Sequence, residues 1–125
     1  MTPLFRFITL PASLQDKTDV EALKNGLDWG KPALTLIDIR DYSAFQARHI
    51  VGAIPVPGRE LLDWARSHLE LTRDIYLYGE TDGHTAAVAE QLRSVGYQHV
   101  AELMGGLAAW EKAQYPVEGV STYFG

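Results

Sequence analysis

Ile75-Tyr76-Leu77-Tyr78, then Gly79-Glu80-Thr81-Asp82-Gly83-His84, then Thr85-Ala86-Ala87-Val88 is the stretch on which the reading of this chain turns. Four apolar and aromatic residues in a row read as a buried strand. The next six have loop composition. Residues 85–95 then place Val88, Leu92 and Val95 on one helical face, and Gly96 follows as the glycine that ends a helix. A strand running through a loop into a helix is half of a βαβ unit.

Working outward, the same unit recurs. Residues 33–39 form a nearly continuous apolar run, as in a strand covered on both faces, and charge follows at Arg40-Asp41. Residues 42–48 suit a short helix, and residues 53–56 a brief strand between Gly52 and Pro57-Gly58. Residues 59–69 set Leu61, Leu62, Ala65 and Leu69 on one helical side. Residues 99–103 read as a strand, Gly105-Gly106 as a turn and residues 107–114 as the last helix. Upstream, residues 5–10 are the expected first strand, stopped by Pro11. Thr18-Asp19-Val20-Glu21 reads as a capping box led by the Thr18 hydroxyl, with Asn25-Gly26 as the stop of a short helix. Strand and helix thus alternate about five times. This predicts an α/β fold with a parallel sheet of about five strands and helices on both faces. Ligands bind beyond the carboxyl ends of such strands. That directs attention to Arg40-Asp41, Pro57-Gly58, the 79–84 loop and the 104–106 turn.

A length of 125 residues fits one domain spanning 1–125, with an irregular tail expected over 115–125. Eleven Lys and Arg against 16 Asp and Glu leave a formal charge of −5, which argues against a nucleic-acid partner. No apolar run approaches the ~18 residues a bilayer span needs. The first ten residues are broken by Pro3 and Arg6, so no signal peptide is expected. Cysteine is absent altogether. Disulfides, thiolate metal sites and thiol nucleophiles are excluded with it. Its absence also fits a reducing compartment, so a cytoplasmic location is expected.

Three further segments carry a resemblance. Residues 38–53 hold Asp38, Arg40, Phe45, His49, Ile50, Gly52 and Ala53 in the spacing D-x-R-x4-F-x2-G-H-I-x-G-A, with Arg48 in place of the glycine. Gly96-Tyr97-Gln98-His99-Val100 matches a G-Y-x-x-V segment. Gly105-Gly106 with Trp110, followed by Pro116-Val117, matches a closing G-G-x-x-x-W…P-V signature. Together these resemble a single-domain rhodanese-like protein, the sulfurtransferase homology module, over about residues 33–117. The resemblance implies a five-stranded parallel sheet between helices. It also implies that active members carry a cysteine after the fourth strand, at the start of a six-residue loop, which accepts sulfur as a persulfide. Gly79 stands at that position here, His84 at that of the loop's usual basic residue and Thr85 at that of its hydroxyl neighbour.

No catalytic residue, metal ligand or cofactor is therefore assigned. Glycine has no nucleophile, and the thioether of Met104 cannot carry a transferable persulfide. The loop also holds Glu80 and Asp82, each of which opposes a dianion ~4–6 Å away by roughly a kcal/mol. Gly79, Glu80, Thr81, Asp82, Gly83, His84 and Thr85 read as a vestigial active-site loop or a ligand-binding one. In the first case Thr81 or Asp82 caps the helix, and a protein carboxylate takes a substrate anion's place. Asp38, Arg40 and His49 read as structural motif residues or pocket rim. Trp110 reads as a core anchor, while Trp64, Tyr76, Tyr115, Tyr123 and Phe124 are candidates for an exposed aromatic patch. The expected function is a catalytically inactive rhodanese-homology domain that binds or regulates, with a protein partner or small ligand whose identity is not legible. One alternative is an enzyme of another class, hydrolase-like, using Asp82 and His84. Another is an accessory protein that docks on a thiol-bearing sulfur-relay partner.

Overall fold

The computed structural model describes residues 16–30 and 34–120. In chain order the elements are β1 (Lys17–Thr18), α1 (Val20–Asp28), β2 (Leu34–Asp38), α2 (Tyr42–Ala47), β3 (His49–Ile50), β4 (Ile54–Pro55), α3 (Gly58–His68), β5 (Asp74–Tyr78), α4 (Asp82–Ser94), β6 (His99–Leu103), α5 (Gly106–Lys112) and β7 (Val117–Glu118). Five strands form one parallel sheet in the order β1-β6-β5-β2-β4. β3 and β7 make a separate antiparallel pair.

Side-chain alternation along the central strands divides the core in two. Ile75 and Leu77 of β5 pack with Ile37, Leu61, Ala65, Val88 and Leu92, under α3 and α4. Tyr76 and Tyr78 point the other way, among Leu23, Leu36, Leu103 and Trp110, under α1 and α5. Both faces are covered, which is why these strands are apolar nearly throughout. Trp110 is buried, and its indole Nε1 donates to Pro116 O at 2.8 Å.

Several local expectations shift. Residues 5–10, the expected first strand, lie outside the described residues, and β1 takes the edge beside β6. The sheet uses the Thr18 carbonyl, which accepts from Met104 N at 2.9 Å. The helix cap is Asp19 rather than the Thr18 hydroxyl, with Asp19 Oδ1 accepting from Ala22 N at 2.8 Å. Asn25-Gly26 does not stop α1. The helix runs on to Asp28 because Leu27 still packs on the core, and Gly30, at φ 63°, supplies the left-handed turn. α4 begins at Asp82 rather than Thr85, since Thr81 caps it one turn earlier. The tail is not wholly irregular: Val117–Glu118 pairs with His49–Ile50, held in place by the Trp110–Pro116 bond. Among the described residues, the candidate aromatics do not gather into a patch. Trp64 packs at the α3 side, whereas Tyr76 is buried and Tyr115 packs on the opposite core, and Tyr123 and Phe124 lie outside the described residues. No helix among the described residues is long and apolar enough to cross a membrane.

Candidate functional site

The carboxyl ends of β2, β5 and β6 open on a cleft of about 420 Å³. Its walls come from Arg40 after β2, from Gly79 through Asp82 after β5, and from Gly105, Leu107, Ala108 and Glu111 after β6. The topology places a site here because each parallel strand ends at this edge and hands the chain to a loop.

Gly79 is closely enclosed. A Cβ added there would stand 2.9 Å from Ile39 Cγ1 and 2.9 Å from Thr85 Oγ1. Ile39 is buried, and Thr85 Oγ1 is committed, donating to Thr81 O at 3.0 Å. The backbone at Gly79 is not in the left-handed region, so occupied space, rather than torsion, is what excludes a side chain. Two residues on, Thr81 Oγ1 accepts from His84 N at 3.1 Å and so caps α4. Asp82, in the first turn and exposed, reaches the 105–106 turn: Gly105 N donates to its Oδ1 at 3.0 Å and lies 3.4 Å from Oδ2. Gly105 (φ 81°) and Gly106 (φ 54°) make this approach possible, and a Cβ on Gly106 would sit 3.2 Å from Gly79 O.

Beneath the rim lies a tightly paired ion couple. Asp38 is fully buried, and Arg40 donates to it through Nε (3.0 Å to Oδ1) and Nη2 (2.7 Å to Oδ2), while Arg40 N donates to Oδ1 at 3.0 Å. Arg40 Nη2 also donates to Arg48 O at 2.6 Å. Burial alone would lower the Arg40 pKa, but the hydrogen bonds and charge of Asp38 outweigh it and hold the guanidinium above its ordinary value. Tyr78, adjacent, accepts from Ile50 N at 3.1 Å; burial and then the Asp38 charge push its phenol far up. Arg48, the one departure from the first signature, extends to pair with Glu111 on α5.

The structure therefore gathers Arg40, Gly79, Glu80, Thr81 and Asp82 at one cleft, with Asp38 supporting Arg40 from below. Gly83, His84, Thr85 and His49 do not line it. The His84 ring packs against α3, with Nε2 3.1 Å from the position of a Cβ on Gly58. His49 is a tie between elements. It stacks on Phe45 at 3.6 Å, with Nδ1 2.6 Å from Phe45 O and Nε2 3.2 Å from Glu118 Oε1. The sequence reading pointed to the 104–106 turn, and so to Gly105, but not to Leu107, Ala108 or Glu111. Arg48, the partner of Glu111, carried a signal as the mismatch in an otherwise complete motif. One cation and three carboxylates line the cleft, a formal excess of two negative charges. Among the described residues, no group of three or more His, Asp or Glu side chains stands close enough together to hold a metal ion.

Comparison with known proteins places this geometry. The profile of the rhodanese-like domain matches residues 19–113. The thiosulfate sulfurtransferase GlpE of Tolumonas auensis is 31% identical over 85 residues, 68% of this chain and 78% of GlpE. The probable adenylyltransferase/sulfurtransferase MoeZ of Mycobacterium tuberculosis is 31% identical over 96 residues, 75% of this chain. The match spans only 24% of MoeZ's length. Among solved structures, the rhodanese-like domain of the Anabaena sp. Alr3790 protein, determined in solution, superposes with a TM-score of 0.84 at 44% identity. It covers 90% of this chain and 85% of that one.

Proposed function

The chain belongs to the rhodanese-like domain family and lacks cysteine, hence the family's catalytic thiol, and on that premise we propose that it works as a binding or regulatory module, not as a sulfurtransferase. The observation that carries this reading is the closure at Gly79. The place that aligns with the family nucleophile has no side chain, and Ile39 and Thr85 stand where one would begin. Persulfide transfer needs a sulfur atom that a donor can load, and no residue of this chain offers one. The charge excess at the rim works in the same direction, since it disfavours an anionic sulfur donor. The MoeZ match, confined to a quarter of a longer chain, supports use of this fold as a module within sulfur metabolism. We place the module in the cytoplasm, where a chain without cysteine needs no oxidative folding.

Nothing in the geometry favours a hydrolase built on Asp82 and His84. Asp82 is held by Gly105 N, and His84 packs on Gly58 outside the cleft. The test is thiocyanate formation from thiosulfate and cyanide by the purified chain. Turnover at the level of buffer alone is expected; steady enzyme-dependent thiocyanate production overturns the proposal.

A further inference from the structure

Resting on the reading of the cleft as a binding site, we infer that its ligand is a basic side chain, lysine or arginine, presented by a partner protein. Three features of the cleft select this chemistry. First, the one cation lining it is already engaged. Arg40 is locked to buried Asp38, and Arg48, which does not line the cleft, is paired with Glu111, so neither is left to meet an incoming anion. Second, the Glu80 carboxylate is exposed at the rim and makes no hydrogen bond or ion pair among the described residues; its tie to Arg40 is longer-range attraction. Asp82 is held only by a backbone amide, which leaves its negative charge uncancelled. Third, part of the lining is apolar. Leu107 and Ala108 share a space of about 420 Å³ with Glu80 and Asp82, beside Glu111, which Arg48 pairs.

An alkyl stem capped by a charge is the shape these walls fit. The methylenes pass Leu107 and Ala108 while the charged head reaches Glu80 and Asp82. Gly79 and Gly105 present no side chain to obstruct entry. A basic partner is also drawn in from a distance by the chain's overall charge of −5. The site that in sulfurtransferase relatives would meet an anion is, in this chain, reversed in preference.

The test is a titration of the ¹⁵N-labelled chain, followed through its amide signals, with two blocked pentapeptides, one carrying a central lysine and one a central glutamate among glycines. Saturable shifts at Gly79, Glu80 and Gly105 are expected with the lysine peptide only, weakening as salt is raised. Glu80→Gln should reduce the affinity about two- to fivefold, in line with a partly exposed ion pair. Glu90→Gln, at an exposed site on α4 outside the cleft, should leave it unchanged. Shifts that never saturate, that spread over the whole acidic surface, or that survive Glu80→Gln intact overturn the inference. So does equal response to the glutamate peptide. Thiocyanate formation would instead overturn the underlying non-catalytic reading, so the two failures are separable.

Discussion

Replacing Gly79 by alanine is the sharpest test of the physical reasoning, because it asks only whether a Cβ can be accommodated. The gain is known in sign: restricting the unfolded chain stabilises by about 0.4–1 kcal/mol where the native backbone tolerates an L residue. The backbone here does. Against it stands contact at 2.9 Å with both Ile39 Cγ1 and Thr85 Oγ1. Neither is a free side-chain end: Ile39 is only 2% exposed, and Thr85 Oγ1 is engaged with Thr81 O. Overpacking of this kind costs about 1–3 kcal/mol. The overpacking term wins, so Gly79→Ala should lose about 1–2 kcal/mol by urea unfolding at neutral pH. In an Ile39→Ala background, where Cγ1 and Cδ1 are gone, the loss should shrink by at least half, since contacting residues couple. Gly79→Cys should be destabilised likewise and should yield little or no thiocyanate. Equal or greater stability for Gly79→Ala, strict additivity with Ile39→Ala, or brisk sulfur transfer by Gly79→Cys would each refute the argument.

Two further outcomes follow from the ion couple beneath the rim. Asp38→Ala strips Arg40 of its partner while the side chain stays largely enclosed, so unfolding free energy should fall by about 3–5 kcal/mol, as for a broken buried pair; a loss below about 1 kcal/mol would show that the couple is not structural. The raised pKa of the Tyr78 phenol, caused first by burial and then by Asp38, makes stability fall with alkali: above pH ~10 the unfolded phenol ionises while the folded one keeps its proton. That contribution is intact below pH ~10 and declines by up to ~1.4 kcal/mol per pH unit above it. The decline should be shallower in Tyr78→Phe, and identical slopes in urea melts at pH 9–11 would exclude Tyr78 as the cause.

The alternation of strand and helix was legible because it depends on periodicity, which is local. The runs 33–39 and 75–78 read as covered strands and 99–103 as a further strand from local pattern alone, and the missing cysteine was visible in the same way. Local signals misled where distant partners set the local backbone. Thr18 looked like a helix cap, but it is paired with β6 as a strand residue, and Asp19 caps instead. Val117 and Glu118 looked irregular until His49 and Ile50 came alongside.

Which residues share the cleft was a different matter. Asp82 and Gly105 are 23 positions apart, and no spacing rule says that one carboxylate will be spent on the other's amide. His84 sits two residues after Asp82, yet its ring is turned to α3, and the acid-base pairing their proximity invited does not form. The absence of the family's catalytic thiol was a property of residue types, legible before folding, because no cysteine occurs anywhere in the sequence. The shape and sign of the cleft depend on which charges fall within reach of which others. That is a matter of three-dimensional packing, because Coulomb attraction and steric exclusion act through space and take no account of position along the chain.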